Sequence, residues 1–147
     1  SMRVVLSEED LTNSFNTPFV VEKLQKLEYE GHSLNFGKTQ MIVNDDKSLT
    51  IKTQIRLGKT TETIDLDLTA QLEVEERKKI QFVEVKYGGD EKSQALGKAL
   101  IDHVNALLDL DKFALDGTQL RVDRIRIRNK QIIFYGVAKI NQFPQRK

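Results

Sequence analysis

Apolar residues recur at spacings of three and four between residues 7 and 27, which is the period of an amphipathic helix. Ser7 is a good N-cap because its hydroxyl can accept a hydrogen bond from the free amides of the first turn, and the three acidic residues that follow suit the positive end of the helix dipole. Thr17 is a second cap, followed by Pro18, a residue favoured at the first helical position. We therefore predict a broken helix whose apolar stripe needs a large partner surface. The stripe is formed by Leu11, Phe15, Phe19, Val20, Leu24 and Leu27.

Alternating apolar and polar residues predict strands for most of the remaining chain. The alternation is clearest over residues 49–57 and 64–74, as in half-buried strands. The next strand, residues 80–87, loses its alternation after Phe82, which indicates a β-bulge or burial on both faces. Further strand candidates are residues 3–6, 34–36, 40–43, 120–127 and 132–140, the last two forming a hairpin across Asn129 and Lys130.

A second helix is predicted for residues 91–109, with a stripe at Leu96, Leu100, Val104, Leu107 and Leu108. Gly97 lies inside it, where glycine costs about 1 kcal/mol relative to alanine but permits close packing. Short turns between consecutive strands favour antiparallel pairing. The predicted fold is α+β, a curved antiparallel sheet of about six strands with the broken N-terminal helix and the second long helix on its concave face. All 147 residues are expected to form a single domain.

Composition and charge narrow the classes of function. The 23 basic and 22 acidic residues give a net charge of +1, which argues against a nucleic-acid-binding protein but allows a local basic stripe. The absence of cysteine excludes disulfides and thiolate chemistry. His32 and His103 have no second ligand at metal spacing, so no metal site is predicted. No apolar run reaches the length of a membrane span and no signal peptide is visible, so the compartment stays open.

Two glycine motifs are weak signals of phosphate binding. Residues 58–61, Gly-Lys-Thr-Thr, resemble the end of a phosphate-binding loop, but Thr53 stands where that motif needs a glycine, so a hairpin turn is favoured. Gly88 and Gly89 precede a helix whose N-terminus could bind an anion, although a plain strand-to-helix turn explains them as well. With no nucleophile motif and no cofactor signature, we predict that the chain is not an enzyme.

A row of arginines and a set of apolar side chains are the candidate binding residues. Arg124, Arg126 and Arg128 share one strand face, where they could solubilise an edge, bind a phosphate head group or attract an anionic membrane. The apolar set is either plain core or the lining of an elongated groove between helices and sheet. Its members are Phe15, Phe19, Leu24, Phe82, Tyr87, Leu96, Leu100, Val104 and Phe134.

Three segments carry a resemblance to a known family. Residues 7–24, with SEEDLT, FNT and FVVEKL, are similar to the N-terminal signature of the LmeA-like phospholipid-binding family, in its cyanobacterial branch. Residues 106–113, ALLDLDKF, followed by Leu115 and Gly117, give a second match. The final hairpin, which ends in Gln-Phe-Pro at residues 142–144, also resembles that family. The resemblance covers nearly the whole chain.

The resemblance implies a non-enzymatic protein whose partner is a phospholipid or a membrane surface. It further implies the tubular lipid-binding architecture, in which a curved sheet wraps a long helix. The family has no catalytic motif to carry over. We therefore predict a lipid-binding module that holds acyl chains in an apolar groove. The alternative is a protein-interaction module with a filled core and no ligand, and a continuous apolar cavity would discriminate between the two.

Overall fold

The computed structural model describes residues 1–112 and 117–140, which form an α+β structure with curved antiparallel sheets. The predicted features at Phe113, Leu115 and residues 142–144 lie outside the described residues. The elements in chain order are β1 (Met2–Ser7), α1 (Glu8–Phe15), α2 (Pro18–Gln25), β2 (Glu28–Tyr29), β3 (His32–Phe36), β4 (Gln40–Val43), β5 (Leu49–Leu57), β6 (Thr63–Glu75), β7 (Lys79–Tyr87), α3 (Glu91–Leu107), a 3₁₀ turn (Leu110–Lys112), β8 (Thr118–Arg128) and β9 (Gln131–Ile140).

The predicted break in the N-terminal helix is confirmed, and both halves are capped as their residues suggest. The Ser7 hydroxyl accepts a hydrogen bond from the backbone N–H of Asp10 at 3.0 Å, and the Asp10 carboxylate accepts one from the N–H of Ser7 at 2.9 Å. The bond from the Ser7 N–H favours the ionised carboxylate and is the main cause that lowers the pKa of Asp10. The Thr17 hydroxyl caps α2 by accepting a hydrogen bond from the backbone N–H of Val20 at 3.3 Å, with Pro18 in the first turn.

The strands form two sheets rather than the single sheet that the alternation pattern suggested. A sheet of six strands has the order β2-β3-β5-β6-β7, with β4 also paired to β5. A second sheet has the order β1-β9-β8. It joins the first strand of the chain to the predicted C-terminal hairpin, and residues 2–7 pair antiparallel with residues 131–136. No local pattern signals this pairing, because its partners are far apart in sequence.

Each sheet contains a bulge that changes which residues face inward. In β7 the register shifts between Lys86 and Val83, and Glu84 takes a positive φ of 51°, so the predicted bulge is confirmed. In β8 the register shifts between Val122 and Arg124, which leaves Asp123 as the extra residue. Beyond each bulge, the inward side passes from even-numbered to odd-numbered residues.

Helix α3 packs on β6 and β7 and buries Leu96, Leu100, Ile101 and Val104 in the main core. Gly97 explains how closely it packs, since a Cβ at this position would lie 2.9 Å from the ring of Tyr87. His103 links the helices, because its Nε2 lies 3.0 Å from the carbonyl oxygen of Lys23 and can donate to it. Within the described ranges, no helix is long and apolar enough to cross a membrane.

We expect Gly136→Ala to destabilise the fold strongly. Gly136 is buried in β9 opposite both Met2 and Val122, and an added methyl would overlap the carbonyl oxygen of Arg121. Overpacking against backbone cannot be relieved by a side-chain rotation, so we expect a loss of about 3 kcal/mol in the free energy of unfolding, measured by urea titration. Val137→Ala, at the next position of β9, is the matched control and should cost about 1 kcal/mol or less. Equal losses in the two variants would contradict the close approach.

Candidate functional site

A cavity of about 580 Å³ lies between the inner faces of the two sheets and is closed by helices α1 and α3. We call it the intersheet cavity. Its lining is apolar except for Ser14, whose hydroxyl already donates to the carbonyl oxygen of Asp10 at 2.8 Å. The lining residues are Met2, Val4, Leu6, Leu11, Ser14, Phe15, Met41, Leu49, Leu72, Ile80, Phe82, Val104, Leu108, Leu110, Leu120, Val122, Ile132 and Phe134.

The intersheet cavity owes its lining to strand alternation in both sheets. Val4 pairs with Phe134 and Leu6 with Ile132, so these side chains share the inner face of the three-stranded sheet. Leu72, Ile80 and Phe82 face them from β6 and β7. No charged side chain lines the cavity, and among the described residues no group of histidines and carboxylates could hold a metal ion. The cavity therefore offers shape and apolar contact, which suits a hydrocarbon chain.

A second cavity, of about 310 Å³, lies between the N-terminal helices and α3, and we call it the helix pocket. It shares Ser14, Phe15, Val104 and Leu108 with the intersheet cavity, so these residues stand between the two spaces. Phe19 at its rim is 60% exposed, and the Lys23 ammonium lies 5.5 Å from the centre of the Phe19 ring. The helix pocket thus combines an apolar wall with a basic rim.

The intersheet cavity opens at the edge of the three-stranded sheet. Val4 lines the cavity yet is 38% exposed, and Ser14 is exposed as well. Val4 belongs to β1, which pairs with β9 on one side only, and Ser14 belongs to α1, which follows β1 directly. The gap between this edge strand and α1 is therefore the opening.

The structure brings together most, but not all, of the apolar residues selected from the sequence. Phe15, Phe82, Val104 and Phe134 line the intersheet cavity, and Phe15, Phe19, Leu24 and Val104 line the helix pocket. Leu100 is buried in the core beside a void of only about 10 Å³. Leu96 is fully buried and Tyr87 packs against Gly97, and neither lines either cavity.

Apart from Phe134, the sequence pattern did not select the lining residues of the three-stranded sheet. Met2, Val4 and Leu6 alternate with Arg3 and Val5, which is a strand signal, but a strand of six residues carries no sign of what its inner face contacts. Leu120 and Val122 were likewise visible only as part of a hairpin. Their role depends on the pairing of β1 with β9, which places both ends of the described chain beside the helices.

The three arginines lie on the opposite side of the three-stranded sheet from the cavity. Arg124 pairs with Tyr135 and Arg126 with Ile133, and both positions face outward. Arg3 pairs with Tyr135 from the other side, so this tyrosine stands between two arginines. We call this surface the basic face, formed by Arg3, Arg124, Arg126, Arg128 and Tyr135.

Tyr135 reports the positive potential of the basic face. The Arg124 guanidinium lies 4.3 Å from the centre of its ring, which is a cation–π contact. The nearby Arg3 guanidinium is the main cause that lowers the pKa of the Tyr135 hydroxyl, and the charges of Arg124 and Arg126 lower it further. The surface therefore favours a negative charge at this point.

Comparison with known proteins identifies one relationship. A family model described as LmeA-like phospholipid-binding matches residues 1–137, which is most of the chain. No curated protein matches the sequence.

We expect Tyr135 to ionise at a lower pH than a free tyrosine, whose pKa is about 10. Arg3→Gln removes the main cause and should raise the pKa of Tyr135 towards that value. Replacing Tyr29 and Tyr87 by phenylalanine leaves Tyr135 as the only tyrosine, so phenolate absorbance during a pH titration reads it alone. Arg56→Gln, a charge loss on the other sheet, should leave the curve in place. A curve that Arg3→Gln does not move would contradict the contact.

Proposed function

Because the chain belongs to the LmeA-like phospholipid-binding family, we propose that it binds a phospholipid by enclosing acyl chains in the intersheet cavity. Family membership supports lipid binding in general. The observation that carries the specific proposal is a cavity of about 580 Å³ whose lining, Ser14 aside, is apolar. This volume falls within the range of about 300–1,000 Å³ typical of ligand sites.

Burial of hydrocarbon supplies the affinity in this proposal. Each CH₂ group removed from water contributes about 0.8 kcal/mol, so ten of them would contribute about 8 kcal/mol before the costs of ordering the chain. Since the lining has no charged group and its single hydroxyl is already bonded, contacts within the cavity discriminate by length and thickness rather than by polar recognition. We therefore propose broad selectivity for acyl chains.

The helix pocket extends the proposed site. It shares four lining residues with the intersheet cavity, and the Phe15 ring separates the two spaces. A rotation of that ring would join them, and the exposed Phe19 and Lys23 at the rim are then suited to the boundary between acyl chains and polar head groups. Leu96, Leu100 and Tyr87 do not line the site and instead pack in or against the core that supports it.

The structure favours lipid binding over the alternative of an interaction module with a filled core. A filled core lacks cavities larger than a few water molecules, whereas the intersheet cavity is far larger. We also propose that the protein is not an enzyme. Its role would be to hold or present a lipid at a membrane rather than to change it chemically.

We expect Val4→Trp to reduce lipid uptake by at least about tenfold, and Val5→Trp to leave it unchanged. Val4 lines the opening of the intersheet cavity, whereas Val5 is the next residue of β1 and faces the other side of the sheet. Displacing two CH₂ groups of a bound chain would already cost a factor of about ten. The measurement is native mass spectrometry of protein mixed with phospholipid, followed by organic extraction of what is bound.

The pair of variants also controls for stability, since both place the same side chain on the same edge strand. Equal uptake by the two variants would remove the intersheet cavity from the lipid site. A wild-type protein that stays free of lipid after exposure to vesicles would argue for the interaction-module alternative.

A further inference from the structure

We propose that the basic face is a docking surface for an anionic phospholipid bilayer. The proposal rests on the proposed function only in taking a bilayer as the source of the bound lipid. The docking surface is the outer side of the three-stranded sheet, which the intersheet cavity does not reach, and its partner is the bilayer surface.

The basic face combines four arginines, and none of them is paired with an acidic residue in the described part of the chain. The outward positions of β1, β9 and β8 in the described chain carry arginine, lysine, apolar or uncharged polar residues, and none is acidic. Asp123, the extra residue of the bulge, is engaged by Arg77 at 2.7 Å, and Arg121 is engaged by Asp111 at 2.8 Å. Within residues 1–112 and 117–140, no ion pair involves Arg3, Arg124, Arg126 or Arg128. Their charges are available to a partner.

The bulge at Asp123 is what assembles this charge on one side. Before the bulge, Leu120 and Val122 face the intersheet cavity. An unbroken strand would turn Arg124 and Arg126 to the same inner side as these residues. The extra residue reverses the alternation, so Ile125 and Ile127 pack on the core while the arginines face outward.

The basic face is apolar beneath its charges. Ile133 points outward between Val5 and Arg126, yet it is only 6% exposed, so its neighbours cover it. Arginine stems lie over such apolar positions and carry their guanidinium groups to the solvent. Successive arginines of β8 stand about 7 Å apart, because the rise of a strand is about 3.3 Å per residue.

A row of guanidinium groups along one side of a sheet fits a surface that carries many anions. None of these arginines lines any of the pockets described above, so a single phosphate would be held from one side only. Single-stranded nucleic acid would require several stacking rings, and Tyr135 is the one aromatic side chain among the outward positions of the described strands.

The test compares two variants of equal net charge. The first combines Arg3→Gln, Arg124→Gln and Arg126→Gln. The control combines Arg56→Gln, Lys59→Gln and Lys86→Gln, which are exposed positions of the six-stranded sheet and its turn. Partitioning onto phosphatidylcholine vesicles containing phosphatidylglycerol is measured by co-sedimentation at low and high salt.

We expect the first variant to lose about 100-fold in partitioning, since each basic residue at the membrane surface contributes a factor of about five. The control should stay within about twofold of the wild type, because its charges belong to the other sheet and salt screens charges that do not contact the bilayer. High salt should weaken wild-type binding and narrow the difference between the variants. Vesicles of phosphatidylcholine alone should bind neither variant.

Three results would overturn the docking surface. These are equal losses in both variants, unchanged binding by the first variant, or wild-type binding to neutral vesicles as strong as to anionic ones. Docking does not require an occupied cavity, so Val4→Trp should still bind anionic vesicles. A failure of lipid uptake into the cavity would therefore be distinguished from a failure of docking.

Discussion

The pairing of β1 with β9 is the constraint on which the rest of the structure depends. It joins residues 2–7 to residues 131–136 and so creates the edge of the three-stranded sheet. The entropy cost of closing so long a loop grows only slowly with its length, and a ladder along the whole of β1 offsets it. Without this strand the intersheet cavity would lose Met2, Val4 and Leu6, and Ser7 would not be held in place as the cap of α1.

Because of the two bulges, β7 and β8 each contribute residues both to the lining of the intersheet cavity and to the core. In β7, Ile80 and Phe82 face the intersheet cavity, and beyond the bulge Val85 and Tyr87 pack towards the core. In β8 the same change of phase separates Val122 from Ile125. In a regular strand the same alternate residues face one side along its whole length. A bulge shifts this alternation by one residue, so one strand can line the cavity at one end and fill the core at the other.

Charged and apolar side chains lie on opposite sides of the three-stranded sheet. The net charge of the chain is only +1, yet the described arginines of the basic face form no ion pair, and the inner side of the same sheet is apolar. Tyr135 keeps a lowered pKa because Arg3 and two further guanidinium groups surround its hydroxyl.

The sequence by itself determined the local structure. Periods and capping residues that act within a few positions were enough to predict the caps at Ser7 and Thr17 and the irregularity after Phe82. They also predicted the C-terminal hairpin and the row of arginines on one strand face. The resemblance carried by residues 7–24, by residues 106–117 and by the final hairpin identified the family, and the family match over residues 1–137 confirms it. Only the tertiary structure decided that the strands form two sheets, that Met2, Val4 and Leu120 line a cavity, and that Leu96 and Tyr87 do not. The sequence alternation is the same whether an apolar residue faces a core or a cavity. Which of the two it faces depends on long-range strand pairing, and no local period in the sequence records that pairing.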